Sequence, residues 1–516
     1  MILLSKKKKN IDESADVAPT ESAWLKYFVP VIFFAAVGIV YLVTMLNLYP
    51  SLPIILPEAE SYPHYVEVYP PFRMDEVNYY KIAKTILEGD LYEQGSIERS
   101  YPIGFPIIAA PFVAVWDEQG GYNANMVIIW FSLIVFYLIA SRHISRIKSL
   151  FMTAILAFAT LNWFYAVSCY TEPLSQLLVL LGFYFLTWKK SSPRLPVILF
   201  CAGIMTALNL FVRPHYILIA IPFFIFSWID REDKFIFDHK ALFYFGGVSF
   251  VVLLWFIRNK MIFGGFLNFE YTRLVGSFAR DASSSFRRGN IFWGMHKLLF
   301  DSFHGLLTIT PVLMIFPAGL RNMWFCGKKR EALILFFSVS IITVFIAWGP
   351  YPFTGFGLGS RHMVPIIPLI LLPGIFYLDG TKFPRIIITL LAAYSFYYAG
   401  LGWFTGEGKS VDQYGFLPGL LNQTNSRAVI QARKDILPGK EFETDDEIAK
   451  AFDESRVKND YLGMFQTLHP AVLENIKGYE KHFVSFVRNN ANYDTLIVSL
   501  DHHQGIRFAP FTFQSQ

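Results

Sequence analysis

Charge is scarce in this chain. Only 16% of its 516 residues are Asp, Glu, Lys or Arg, against 54% hydrophobic residues, and the mean hydropathy is +0.39. Soluble domains carry nearer one-quarter charged residues, so an ordinary water-soluble fold is excluded for most of the length. Cysteine is scarcer still: Cys169, Cys201 and Cys326 are the only three. Cys201 falls inside an apolar run and Cys326 beside cytoplasmic-type basic residues, so no disulfide framework and no paired C-x-x-C site is implied. There is no P-loop, no G-x-S-x-G elbow, no internal repeat, and no low-complexity tract beyond Lys6–Lys9. The net charge of +5 is better explained by orientation signals than by a nucleic-acid surface.

What the chain does have is long uncharged runs: Tyr27–Pro57, Ser149–Thr171, Leu195–Val212, Ala241–Ile257, Ala332–Ser360, Met363–Leu378 and Ile386–Gly406. A bilayer crossing takes about 20 mostly apolar residues. About eleven spans fit, near 25–48, 124–141, 150–169, 172–188, 195–212, 215–229, 241–262, 303–320, 331–349, 362–378 and 385–403. The sixth is short enough to be re-entrant. Basic residues alternate with them: Lys6–Lys9, Arg142 and Arg146, Lys189 and Lys190, Arg231 and Lys234, Lys328 to Arg330, and Lys382 with Arg385 mark the inner side. The expected fold is an all-α polytopic membrane protein with amphipathic helices in its outer loops. Its parts are a disordered cytoplasmic tail (1–24), a transmembrane domain (25–403) with outer loops 49–123 and 264–302, and a small soluble outer domain (404–516). The first run lacks a cleavage site and reads as a retained anchor. In the tail, Thr444–Glu447 has the form of a capping box and Thr495–Leu500 that of a strand.

Several polar residues gather on the outer side. Asp75 and Glu76 open an amphipathic segment in which Tyr79, Ile82, Ala83 and Ile86 recur at helical spacing and Gly89 is placed to end the helix. Asp75 can be a plain N-cap. It can also be an ionised base held near a membrane-borne substrate, and the two readings do not exclude each other. Tyr101-Pro-Ile-Gly-Phe-Pro106 reads as a rigid turn. Glu172 lies in the turn Ser168–Pro173, either a helix start or an acid at the mouth of the bundle. Arg213, Arg258 and Arg361 face outward, against the positive-inside trend, which points to an anion such as a lipid phosphate; the bland alternative for Arg361 is an interfacial snorkelling arginine. Asp501-His-His503 reads as surface polarity rather than a metal site.

The order of these pieces resembles the GT-C superfamily of membrane glycosyltransferases, of the protein O-mannosyltransferase and lipid A aminoarabinose transferase type. The matching residues are Asp75-Glu76, Tyr101 to Gly104, Glu172, Arg213-Pro214, Arg258 to Gly264, His304 to Leu307, and Gly359 to Arg361. They run through most of the membrane region. The departures are a longer lead from the first span to Asp75 and a tail without a match, which leave the acceptor open. The resemblance implies an inverting transfer of a sugar from a polyprenyl-phosphate donor to an acceptor hydroxyl on a protein, lipid or glycan. In it Asp75 is the general base, Glu76 or Glu172 orients the acceptor or holds a cation, and Arg361, with Arg258 or Arg213, neutralises the departing phosphate. His304 and Tyr101 are further candidates. The resemblance names no definite cofactor: many such enzymes need no metal and others use one, so a divalent cation stays open.

The competing class is a multi-span transporter or flippase of a lipid-linked or anionic substrate. Transporters place polar groups near mid-bilayer on broken helices in repeated halves, whereas here the charges gather on one face. A third class is a receptor or scaffold acting through 404–516. The expected location is the bacterial inner membrane with a periplasmic site, or the reticulum membrane with a lumenal site in a eukaryote.

Overall fold

The computed structural model describes residues 24–48, 74–89, 101–188, 193–228, 239–268, 291–300, 305–348, 360–378 and 382–404. The cytoplasmic tail, His304, the outer domain 404–516 beyond Phe404, and the expected capping box and strand within it lie outside the described residues. The described residues are mostly helical, with no strand among them. The helices that bear on the site are α1 (Val29–Leu48), α2 (Met74–Glu88), α3 (Gly104–Trp116), α4 (Gly120–Ala140), α5 (Arg146–Phe158), α6 (Asn162–Ala166), α7 (Glu172–Leu186), α8 (Leu195–Ala207), α9 (Ala220–Trp228) and α10 (Ala241–Phe263). After these come α11 (Ile291–Phe300), α12 (Leu306–Ile309), α13 (Phe316–Phe325), α14 (Lys329–Trp348), α15 (Ile367–Leu371), α16 (Gly374–Leu378) and α17 (Lys382–Phe404).

Three of them, α4, α10 and α14, are long and apolar enough to cross a membrane on their own. These helices and their neighbours carry bulky apolar side chains on the outside of the bundle, among them Ile39, Phe245, Leu253, Phe337 and Leu390. In water such a surface would be costly; against lipid it is the expected one. The chain is therefore an integral membrane protein built of helices. Other expected spans are broken: the third into α5 and α6, the sixth into a 3-10 turn (Pro214–Ile219) and α9, the tenth into a 3-10 turn (Arg361–Ile366), α15 and α16. Prolines at 214, 311, 365 and 368 punctuate these stretches, since each removes a backbone donor.

Several hydroxyls in the bundle are satisfied locally. Thr44, Ser132, Thr153, Thr206 and Thr343 each donate to the carbonyl four residues back, as hydroxyls in a lipid-facing helix must when no water is at hand. α8 and α10 meet backbone to backbone, because a Cβ at Gly203 would collide with the carbonyl of Tyr244 and one at Gly247 with that of Phe200. At the other end of α7, Arg142 stacks on Tyr184 at 4.0 Å and donates to the carbonyls of Tyr184 and Thr187, closing the carboxyl end of that helix.

Two expectations change. The turn expected at Tyr101–Pro106 is the start of α3, a helix of 13 residues too short to register as a span. Its apolar run continues from Phe105 to Trp116, with Pro106 in the first turn and Pro111 in the helix interior. Asp75 is the second residue of α2, inside its first turn and not at the cap. The amphipathic reading of α2 agrees with the structure: Tyr79, Ile82 and Ala83 are buried, while Lys84, Leu87 and Glu88 are exposed. Gly89 ends the helix with a left-handed φ of 84°.

Candidate active site

The site is built around the turn that joins α6 to α7. Asn125 of α4 shapes it by donating through Nδ2 to the carbonyls of Ser168 and Tyr170, both at 2.7 Å. The backbone N–H of Cys169 then points outward and donates to Oε1 of Glu76 at 2.9 Å. Glu76 is fully buried. A carboxylate without solvent needs a donor of this kind, so the bond docks the amino end of α2 onto the turn. One turn further along α2, Tyr80 donates to Oδ1 of Asp117 at 2.6 Å, a residue with the positive φ of 46°. The two bonds fix α2 against the α3–α4 junction and the 168–171 turn together.

Glu172 is the first residue of α7, with Pro173 behind it. A carboxylate at a helix amino end is favoured by the helix dipole. Here it also meets two guanidiniums. Glu172 is ion-paired with Arg213 through Oε1, and Nε of Arg361 lies 3.5 Å from that same oxygen. The three side chains are 0%, 5% and 11% exposed in the order Glu172, Arg213, Arg361, so Arg213 is the deep partner and Arg361 the one at the rim.

Arg213 is held on every nitrogen. Its Nε donates to Thr171 Oγ1 at 2.8 Å, one terminal nitrogen meets Glu172, and the other lies 3.3 Å from Nδ1 of His362. The segment that presents it is extended (φ −148°, ψ 86°), as the following Pro214 requires. Tyr216 donates to the carbonyl of His362, which ties this segment to the turn carrying Arg361. Arg361 opens that turn, with its guanidinium centred 5.0 Å above the Tyr170 ring, and the preceding Ser360 donates to the carbonyl of Leu298 at 2.6 Å.

The remaining candidates lie around this core. Tyr101 packs edge-on against Tyr79 at 5.4 Å. Gly104 sits so close to the Arg213 segment that a Cβ there would be 2.7 Å from the carbonyl oxygen of Phe211 and from Val212. Arg258 lies near its neighbour Asn259, at 3.3 Å, and over the rings of Phe263 and Phe211 at 5.5 and 5.9 Å. Thus Glu76, Tyr101, Glu172, Arg213, Arg258 and Arg361 lie around one region, in which Glu172 pairs with both Arg213 and Arg361. The Asp75 side chain is outside the described set, but its place in the first turn of α2 puts it next to Glu76. Thr171, Tyr170, Tyr216, His362 and Asn125 were missed from sequence. No motif marks them, because their part is to hold other side chains or the turn. Among the described residues, no group of three or more His, Cys, Asp or Glu is placed to hold a metal ion. The cysteines are free, with Cys169 buried beneath the Glu76 bond.

No protein-family model matches the chain and no curated protein is similar to it. Solved structures are. ArnT from Cupriavidus metallidurans bound to undecaprenyl phosphate has a TM-score of 0.49 at 13% identity, over 93% of this chain and 78% of that one. The apo form of ArnT gives 0.47 at 13% identity, over 79% and 70%. The Archaeoglobus fulgidus oligosaccharyltransferase tethered to an acceptor peptide gives 0.45 at 11% identity, over 83% of this chain and 59% of that one. Both proteins are GT-C glycosyltransferases, the superfamily that the motif order resembles.

Proposed function

We propose that this protein is an inverting membrane glycosyltransferase that moves a sugar from a polyprenyl-phosphate donor to an acceptor hydroxyl at the outer membrane face. The observation that carries this reading is the Glu76–Cys169 bond. It joins the acidic start of α2 to the turn that ends at the Glu172–Arg213–Arg361 cluster.

In the proposed reaction the acceptor oxygen attacks the anomeric carbon and gives up its proton to Asp75. The bond from that carbon to the phosphate oxygen breaks, and its electron pair leaves with the lipid phosphate. Direct displacement inverts the anomeric centre. The phosphate gains charge as the bond breaks, so cationic donors already fixed in place stabilise the transition state more than the ground state. Arg361, at the rim, is the group proposed to touch the phosphate; Arg213 supports it from behind, and Arg258 lines the neighbouring wall. Glu76 acts by docking α2, which places Asp75. The sugar is a hexose or pentose, the acceptor a protein, lipid or glycan, and the setting a bacterial inner membrane with a periplasmic site.

The test is transfer from a panel of radiolabelled polyprenyl-phosphate sugars by the purified full chain in nanodiscs, wild type beside Asp75→Asn. Transfer lost in the variant, with binding of polyprenyl phosphate kept, supports the base. Undiminished transfer returns Asp75 to a helix-end role. A wild type that neither transfers nor binds any donor favours the transporter class.

A further inference from the structure

Glu172 has a part to play that its motif position does not announce. A carboxylate that orients an acceptor needs an oxygen facing the acceptor, and one that holds a cation needs to be free of competing cations. Glu172 meets neither condition: it is wholly buried, and one of its oxygens is shared by two guanidiniums. Its other oxygen faces Thr171 Oγ1 at 3.5 Å. Seating a divalent ion beside two fixed positive charges is opposed by like-charge repulsion at close range. Among the described residues, two arginines share the Glu172 carboxylate here, and Nδ1 of His362 lies against Arg213.

We infer that Glu172 is the resident counter-anion of the arginine pair: a positioning residue that holds Arg213 and Arg361 when no lipid is bound and that speeds release of the spent lipid phosphate. This rests on the reading of the cluster as a lipid-phosphate site. The reason for release lies in the charge of the two ligands. A polyprenyl-phosphate sugar is a phosphodiester with one negative charge. After the sugar leaves, the lipid carries a phosphomonoester that approaches two. A fixed carboxylate next to Arg361 therefore repels the product more than the donor. A like charge roughly 6 Å away, in a medium of effective dielectric about 20, shifts an affinity by about one to two powers of ten. Arg361 is thus drawn toward Glu172 when the site is empty and toward phosphate when it is filled. The deeper Arg213, bonded also to Thr171 and His362, keeps the carboxylate in place in both states.

The experiment compares wild type with Glu172→Gln, as full chain in nanodiscs, for binding of two probes: a polyprenyl phosphate monoester and its methyl phosphodiester. The expected result is an affinity for the monoester about tenfold or more tighter in the variant. The gain for the diester is smaller, and steady-state transfer becomes more strongly inhibited by added monoester. Addition of Mg2+ or EDTA leaves wild-type binding unchanged. The inference is overturned if the folded variant binds the monoester no better than wild type, or if both probes tighten equally. It is also overturned if wild-type binding needs Mg2+ and the variant loses that need, which would make Glu172 a cation ligand. Should Glu172→Gln not fold, Glu172→Gln combined with Arg213→Gln removes both buried charges and keeps Arg361. Monoester binding at least as tight as wild type is then expected, and weaker binding overturns the inference. A wild type that binds neither probe defeats the lipid-phosphate reading itself, a result separate from any difference between the variants.

Discussion

Glu76 and Cys169, separated by 93 positions, are joined by a carboxylate-to-backbone hydrogen bond of 2.9 Å with the carboxylate wholly buried. Through it the outer-loop helix α2 and the turn ahead of α7 are one unit. Removing the acceptor leaves a buried N–H unpaired, at a cost of about 1–3 kcal/mol. Glu76→Ala is expected to lower the melting temperature in detergent and to cut transfer, while Glu76→Gln, which still offers an oxygen, keeps most of both. A melting curve and a transfer assay on the two variants check this.

Arg213→Gln should be among the most damaging single changes. It leaves Glu172 buried with only the more distant Arg361 to balance it, and losing one partner of a buried pair costs about 3–5 kcal/mol. A double-mutant cycle with Glu172→Gln should recover a large part of that loss. If the two losses simply add, the pair does not interact in the folded protein.

Gly104→Ala tests the close approach of α3 to the arginine segment. The added Cβ would come within 2.7 Å of the Phe211 carbonyl and of Val212, two and one residues before Arg213. Overpacking of this kind costs about 1–3 kcal/mol. The change is expected to weaken polyprenyl phosphate binding as well as stability. A variant that loses stability but binds the lipid as well as wild type would show that the strain is absorbed away from Arg213.

Between α4 and α5, His143 titrates in a window of its own. Burial, and then the nearby charge of Lys328, pull its pKa down from 6.5 to about 4. The unfolded chain therefore binds a proton at His143 between these values while the folded protein does not, so this residue makes stability fall as pH drops from about 6.5 toward 4. Melting temperature followed over that range should fall less steeply in His143→Phe than in wild type.

Much of the architecture was readable in advance because bilayers impose a simple grammar. Long apolar runs and the alternation of basic loops gave the helices, and the 3.6-residue period of Tyr79, Ile82, Ala83 and Ile86 gave α2 together with its glycine end. The short helix α3 was not readable, since thirteen apolar residues after a Tyr-Pro pair fit a rigid turn as well as a helix. Of the site, the charged residues were legible as outward-facing exceptions. Their partners Thr171, Tyr216, His362 and Asn125 were not, because a threonine or asparagine that holds a turn has no periodicity and no spacing to betray it.

By itself, the sequence determined the class of molecule, a helical membrane protein, because the cost of placing charge in hydrocarbon acts on each segment separately. Only the tertiary structure decided that Glu172 is paired with Arg213 and approached by Arg361, and that Glu76 is tied to the turn before it. Residues 41 and 93 positions apart meet only once the helices have packed. Which carboxylate is left for chemistry and which is bound to a neighbour depends on that packing, since the charge of an acid is set by its sequence but its freedom to react is set by what surrounds it.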